Sequence, residues 1–388
     1  MYSERSGRAE KLGPRAEPYY AFIPQPLPPK PPLVLDAELL DLSEEANRSL
    51  GRLDGVTAIL PDTLLFLYFY VRKEALLSSQ IEGTQSSLAD LLLFEYDEVP
   101  GVPLDDVREV SNYVAAMNHG LERIKSGFPL SLRLLREVHG VLLAKGRGSE
   151  KSPGEFRTSQ NWVGGSRPGT ALFVPPPAAM VIPCMGALEK FLHDDPEKTS
   201  VLIKAALTHV QFESIHPFLD GNGRLGRLLI TLLLCAAEAL HEPLLYLSLY
   251  FKRNREAYYE HLQRVRTHGE WEAWVRFFLT GVRDTADQAA QTARRILQLF
   301  EADQRRIERI GRAAGSCLRV HQYLQRRPLL SIPKAARDLK LSPPTLRTCV
   351  RHLQTLGILR ETTGRARNRL YAYDRYLAIL SEGTEPLP

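Results

Sequence analysis

Cysteine is scarce: Cys184, Cys235, Cys317 and Cys349 are the only four in 388 residues, far apart and without a CxxC pair. That spacing indicates neither a zinc ribbon nor a disulfide framework, so the four are read as small buried hydrophobes. Long apolar runs are also missing. The longest, Leu228 to Leu240, is broken by Thr231 and Glu238 and is shorter than the roughly 20 residues that a bilayer-spanning helix needs. Residues Met1 to Lys11 are charged and lack the apolar core of a secretory signal, so the cytoplasm is the expected location and no membrane partner is expected. No solenoid repeat, no GxxxxGK[ST] phosphate loop and no HExxH-type histidine spacing occurs. What is there, 44% hydrophobic, 24% charged and 8% aromatic residues, is the composition of a folded globular protein. The length allows about two to three domains.

Negative charge is thin toward the C-terminus. Between Arg312 and Arg375 there are 14 Lys/Arg against Asp338, Glu361 and Asp374, a balance of +11 in a chain whose total is +5, which leaves −6 for the rest. Such asymmetry points to a polyanion as partner of this part and not of the main body.

Proline is concentrated in Pro24–Pro32, which cannot be helical and is read as an extended arm draped over a domain. From Asp36 on, apolar residues recur at helical spacing through Leu50, then over Leu64–Leu77, Val107–Ile124 and Leu130–Leu143. Between Pro153 and Pro183 the texture changes to two short β-type runs around a Gly/Pro loop, the signal of a hairpin. Helical spacing returns over Met185–His193, Ser200–Glu213, Leu225–Leu240, Arg253–Val265 and Glu270–Gln298, and a long helix runs to about Arg312. In the basic region the pattern is helix, turn with Ser342 as N-cap, second helix stopped by Gly357, then two strands around Gly364. This is a winged helix-turn-helix pattern.

The densest polar and glycine cluster in an apolar neighbourhood is His216-Pro-Phe-Leu-Asp-Gly-Asn-Gly-Arg-Leu-Gly-Arg227. It feeds the N-terminus of a helix that is apolar almost all round, so unpaired backbone N–H groups and the helix dipole converge where an anion is favoured. Gly221, Gly223 and Gly226 admit close approach of phosphate oxygens, Arg224 and Arg227 can clamp them, and Asp220 is a hard ligand suited to Mg²⁺. His216 is the one side chain in the group whose ordinary pKa suits a general base near neutrality. Taken singly, these are a turn, a bend and a solvated helix face. Their convergence within twelve residues favours a nucleoside polyphosphate site.

This stretch matches the Fic motif HxFx[D/E]GNGRxxR at every specified position, and the chain from Ser200 to Val282 resembles the Fic core helices. The resemblance implies a mainly α fold, a Fic-type helical core with a β-hairpin flap, plus the small winged helix. It divides the chain into an N-terminal arm and helical domain (1–125), a Fic catalytic core (126–300) and a linker helix with the winged helix (301–388).

The implied activity is that of a Mg²⁺-dependent protein adenylyltransferase. His216 resembles the base that activates a target Tyr, Thr or Ser hydroxyl for attack on the α-phosphorus of ATP. Asp220 resembles the Mg²⁺ ligand, Asn222 and Gly223 the anion hole, and Arg224 and Arg227 the groups on the β- and γ-phosphates; Gly221, Leu225 and Gly226 complete the ATP-binding stretch. Gly223 stands where the Doc-type kinases of this fold carry Lys, which argues for nucleotidyl transfer. By analogy Asn254, Tyr250 and Tyr258 supply a nucleoside pocket. Ser78-Ser-Gln-Ile-Glu82-Gly83 is similar to the inhibitory motif [S/T]xxxE[G/N], with Ser78 and Glu82 on one helix face and Gly83 ending the helix; Glu82 would pair with Arg227 in place of a phosphate. The resemblance further implies a target protein docked on the flap, itself among the targets, and a homodimer. Two other readings stay open: removal of AMP from modified proteins, with Glu82 positioning a water, and a DNA-binding regulator with the Fic part as sensor.

Overall fold

The computed structural model describes residues 2–15, 17–59, 63–95, 103–364 and 369–386. The chain divides into two compact units, residues Met1–Ile59, Tyr70–Asp287 and Pro386–Pro388 in one and Leu60–Phe69 with Gln288–Glu385 in the other.

The first unit opens with β1 (Gly7–Leu12) and β2 (Tyr19–Pro24), an antiparallel pair with Gly7 opposite Pro24 and Leu12 opposite Tyr19. β1 reads Gly-Arg-Ala-Glu-Lys-Leu, so it carries no alternating apolar signal; its partner supplies the buried face through Ala21, Phe22 and Ile23. The proline-rich arm follows and is packed, with Leu27 buried and Arg5 donating to the carbonyls of Pro31 and Pro32. Helices α1 (Ala37–Ile59), α2 (Thr63–Ile81, in this unit from Tyr70 on), α3 (Leu88–Glu95), α4 (Leu104–Lys125) and α5 (Leu132–Leu142) come next. Ser131 caps α5 by accepting from the Leu134 N–H.

The expected hairpin between Pro153 and Pro183 shrinks to one antiparallel bridge, Val163 with Phe173, around a 3-10 turn at Pro168–Thr170. Pro175, Pro176 and Pro177 lack N–H donors, which prevents the ladder from extending past Val174. Helix α6 (Ala178–Leu192) begins seven residues before its expected start and holds Pro183 inside it. The missing N–H falls in the second turn, and burial of Val181, Cys184, Met185 and Leu188 offsets its loss.

α7 (Val201–Ile215) is buried from Leu202 to Ile215, and α8 (Asn222–Ala236) over nearly its whole length. They pack on each other, and α4 and α5 cover α8. Apolar residues all round α8 leave it no solvent face, which fixes its N-terminus as a rigid platform. α9 (Ser248–Arg253), α10 (Arg255–His268) and the start of α11 (Trp271–Glu308) complete the unit; Trp274 Nε1 donates to the Ala206 carbonyl at 2.8 Å, tying α11 to α7. Among the described residues no helix is long and apolar enough to cross a membrane.

In the second unit the remainder of α11 is followed by α12 (Ala314–Arg326), β3 (Leu329–Ser331), α13 (Ile332–Leu339), α14 (Pro343–Thr355), β4 (Arg360–Glu361), β5 (Leu370–Ala372) and α15 (Asp374–Ser381), with the strands ordered β3-β5-β4, both pairs antiparallel. Two helices joined by a short turn and then two strands on either side of Gly364 follow the order of elements expected from the sequence; β3, which pairs with β5, was not expected. The Ser342 hydroxyl caps α14 through the Thr345 N–H, and Gly357 takes a φ of +63° just after its end. Arg365 and Arg367 of the wing lie outside the described residues.

Candidate active site

α7 ends at His216, whose backbone is left-handed (φ +49°, ψ +60°). That turn is held by three donors. Arg157 Nε gives 2.9 Å to the His216 carbonyl, Asn161 Nδ2 gives 3.3 Å to the same oxygen, and Arg157 also reaches the Pro176 and Ile215 carbonyls. Within the following loop the Asn222 side chain is buried and closes on one residue, accepting from the Phe218 N–H at 2.9 Å and donating to its carbonyl at 2.8 Å. Asn222 therefore shapes the loop. Gly221, at φ +76°, is the N-cap of α8.

His139 braces the loop from α5. Its ring stacks on Phe218 with centroids 3.7 Å apart. Nδ1 accepts from the Gly154 N–H at 2.8 Å, which leaves the proton on Nε2 to be donated to the Asp220 carbonyl at 3.0 Å. Burial lowers the His139 pKa to about 4, so the ring stays neutral near pH 7.

A small cavity of about 120 Å³ lies at the N-terminus of α8, lined by Glu82, Glu109, Arg147, His216, Leu219 and residues 220–224. Arg227 stands beside it, fully buried, and donates to Ser78 Oγ (2.8 Å), the Ser78 carbonyl (2.9 Å) and Glu82 Oε1 (2.7 Å). The Glu82 carboxylate rests on the backbone of Gly223: a β-carbon there would stand 2.3 Å from Oε1. Only glycine leaves room for an anion in that place. Burial pushes the Glu82 carboxyl up, but Arg227, its hydrogen bond and Arg224 hold it below the ordinary carboxylate range. α2 is fastened so as to present this carboxylate, through Glu74 to Ser248, Lys252 to Gln80 and Arg255 to the Ile81 carbonyl. Gly83, at φ +100°, follows Glu82 just past the end of α2.

Arg224 is also buried, and a second carboxylate faces it. Its Nη1 lies 3.6 Å from Glu109 Oε2 on α4, and its Nη2 lies 3.8 Å from Asp220 Oδ1. Both distances are too long for hydrogen bonds, and among the described residues Nη1 has no hydrogen-bond partner. Glu109 accepts from Thr84 Oγ1 at 2.9 Å, which joins it to the turn that follows Glu82.

His216 Nδ1 lies 4.0 Å from Glu213 Oε2 and likewise has no hydrogen-bond partner among the described residues. Burial, with the positive charges of Arg266 and Arg157, lowers the His216 pKa to about 4, so the imidazole is neutral and able to accept a proton. Burial raises Glu213 to about 7. Asp220 Oδ1 accepts from the Gly221 N–H at 2.6 Å and the side chain is one-third exposed. Among the described residues no three His, Cys, Asp or Glu cluster as a metal cage. One carboxylate beside a phosphate-sized cavity fits Mg²⁺, which is held by few protein ligands together with substrate phosphates.

The structure thus brings together Ser78, Glu82, His216, Asp220, Gly221, Asn222, Gly223, Arg224 and Arg227. It does not bring Leu225, Tyr258, Tyr250 or Asn254 to the cavity. Leu225 is in the core, and Tyr258 is buried with its hydroxyl 2.8 Å from His209 Nε2, within a cluster that includes Phe251 and Trp274. Both side chains fall on the inner faces of their helices. Tyr250 packs on Phe277, and Asn254 Nδ2 donates to the Tyr250 carbonyl, serving the joint between α9 and α10. Gly226 is backed by Glu213, whose Oε1 lies 2.4 Å from where a β-carbon would stand. Residues that local spacing did not mark are Glu109, His139, Arg147, Arg157 and Glu213.

Comparison with known proteins gives the same answer over both helical regions. The model described as Fic/DOC family N-terminal matches residues 40–122, and that of the Fic/DOC family matches residues 129–234. The chain is 32% identical over 211 residues to "Protein adenylyltransferase Fic" of Aedes aegypti, covering 53% of this chain and 39% of that protein. It is 27% identical over 253 residues to the Drosophila melanogaster protein of the same name, covering 64% and 47%. The chain therefore spans under half the length of these curated relatives. Among solved structures, a Fic family protein from Desulfovibrio desulfuricans G20 shares the fold with a TM-score of 0.58 and 22% identity, covering 90% of this chain and 98% of that one. The chain belongs to the Fic/DOC family.

Proposed function

We propose that the chain transfers AMP from ATP to a protein hydroxyl and that Glu82 restrains this activity. The observation that carries the proposal is the Glu82 carboxylate seated on Gly223 and Arg227, an anion already in the place that the α8 N-terminus and a buried guanidinium make for one. With it in place the cavity holds about 120 Å³, less than the roughly 300 Å³ at which pockets for whole small molecules begin. The relatives named as protein adenylyltransferases support the chemistry.

In this reading neutral His216 takes the proton of the target hydroxyl. The hydroxyl oxygen bonds to the α-phosphorus, the bond to the bridging oxygen of the β-phosphate breaks, and pyrophosphate leaves. Positioning and charge neutralisation supply most of the acceleration in such transfers. Arg227 and Arg224 take the phosphate charge; the unsatisfied Arg224 Nη1 is a donor in wait for an oxygen, since a buried unpaired N–H costs about 1–3 kcal/mol. Asp220 would hold Mg²⁺, which neutralises phosphate charge when bound. Trp162, Val163 and Leu172, exposed beside the single bridge, offer apolar contact to an incoming target segment.

The test is mass spectrometry of lysate proteins incubated with Mg-ATP and the Glu82→Gly chain. AMP adducts that appear with this chain and are absent with Glu82→Gly/His216→Ala support the proposal; adducts independent of His216 refute it. Glu82 and His216 line one cavity, so the parent chain, with Glu82 present, incubated with AMP-modified protein reads the reverse reaction, and Glu82→Gly should lose it.

A further inference from the structure

We propose that the second unit binds double-stranded DNA through the outward face of α14. The helix is two-sided. Leu346, Cys349, Val350 and Leu353 are buried, while Arg347, Thr348, Arg351, Gln354 and Thr355 are exposed. The exposed face has no apolar residue beyond the first turn and no acid. Protein-docking faces carry apolar or aromatic anchors at their centre, and this one has none.

Arg347 and Arg351 stand one turn apart on that face, and neither makes a hydrogen bond or ion pair among the described residues. The acids of the region are spent elsewhere. Asp338 takes the Tyr323 hydroxyl and Arg327, Asp374 takes both ends of the Arg360 guanidinium, and Glu361 accepts from the Thr363 and Gly364 N–H groups at the start of the wing turn. Two unneutralised arginines on an exposed helix, in a stretch with a balance of +11, make a polyanion the complementary partner. α13, the turn at 340–342 and α14 form the helix-turn-helix arrangement that lays its second helix in a major groove. B-form DNA admits a helix there, whereas the major groove of duplex RNA is too narrow. Arg347 and Arg351 would then reach phosphates or guanine edges, with Thr348 between them. This proposal is independent of the nucleotide site.

Fluorescence anisotropy of the full chain with a labelled random-sequence DNA duplex of about 30 base pairs, titrated at several salt concentrations from about 50 mM, tests it. Binding should weaken steeply with salt. Arg347→Ala/Arg351→Ala should weaken binding at least tenfold at the lowest salt and reduce the log–log salt slope by about 2, while leaving the melting temperature unchanged because both side chains are exposed. Duplex RNA of the same length should bind at least tenfold more weakly. Absence of DNA binding at the lowest salt, or a double variant that binds with the parent slope, overturns the proposal. So does loss of self-association in the double variant without loss of DNA binding, which would make the face a protein interface.

Discussion

Replacing Glu82 by Gln removes one charge and keeps the shape of the side chain, and it should move two observables in opposite directions. Arg227 is 1% exposed and Glu82 is 35% exposed, with 2.7 Å between them. Removing one partner of a fully buried pair costs about 3–5 kcal/mol and of a surface pair less than about 1 kcal/mol. A pair buried on one side only, whose arginine keeps two bonds to Ser78, falls between, at about 1–2 kcal/mol. Without nucleotide the variant should therefore melt a few degrees lower. The triphosphate, however, no longer competes with a carboxylate for Arg227 and the α8 N-terminus, so affinity for Mg-ATP should rise about 5- to 30-fold. Differential scanning fluorimetry with and without Mg-ATP, together with calorimetric titration, reads both. Because Glu82 titrates below the ordinary carboxylate range, its pairing stabilises the fold at neutral pH and that stabilisation is lost as pH falls through the depressed value. The melting difference between parent and variant should accordingly close only in acid. A variant with unchanged ATP affinity would refute the reasoning, since Glu82 would then not occupy a phosphate position.

Other residues give further expectations. His216→Ala should abolish transfer by the Glu82→Gly chain while circular dichroism and the melting temperature stay near those of Glu82→Gly, because the side chain borders a cavity and its Nδ1 has no hydrogen-bond partner among the described residues. With its pKa lowered to about 4, His216 should keep the transfer rate level from about pH 8 to about pH 6 and lose it only toward pH 4, whereas an ordinary imidazole would lose half by about pH 6.5; a pH–rate profile decides. The same lowered value means that unfolded chains bind the proton first, so stability should decline as pH falls from about 6.5 toward 4 in equilibrium denaturation. Glu109→Gln should destabilise the nucleotide-free protein, because buried Arg224 loses its facing charge, and Mg-ATP should raise the variant's melting temperature more than the parent's.

The loop at the N-terminus of α8 was legible because its chemistry is contiguous. His216 to Arg227 joins two helix ends, so a dipole, glycines, a carboxylate and two arginines converge without any long-range contact. Ser78 and Glu82 were legible for a related reason, as their spacing of four fixes one helix face. What escaped was everything brought in from far along the chain. Glu109 meets Arg224, and His139 meets the Asp220 carbonyl, across separations that no local pattern encodes. Arg157 reads as an ordinary charged residue, yet it is buried and binds four backbone carbonyls. The tyrosines show the converse: an aromatic run does not say which side faces the core, and Tyr258 turned inward. In the fold, helical periodicity located most helices. The β1–β2 pair escaped because β1 is polar, and the first turns of α6 escaped because Pro183 interrupts the apolar stripe around it.

The most direct test of the central claim is to incubate the Glu82→Gly chain with Mg-ATP labelled either at the α- or at the γ-phosphorus and to measure label bound to protein. Adenylyl transfer predicts protein-bound label from the α-position only, absent when His216→Ala is added. Label from the γ-position, or none from either, would contradict it.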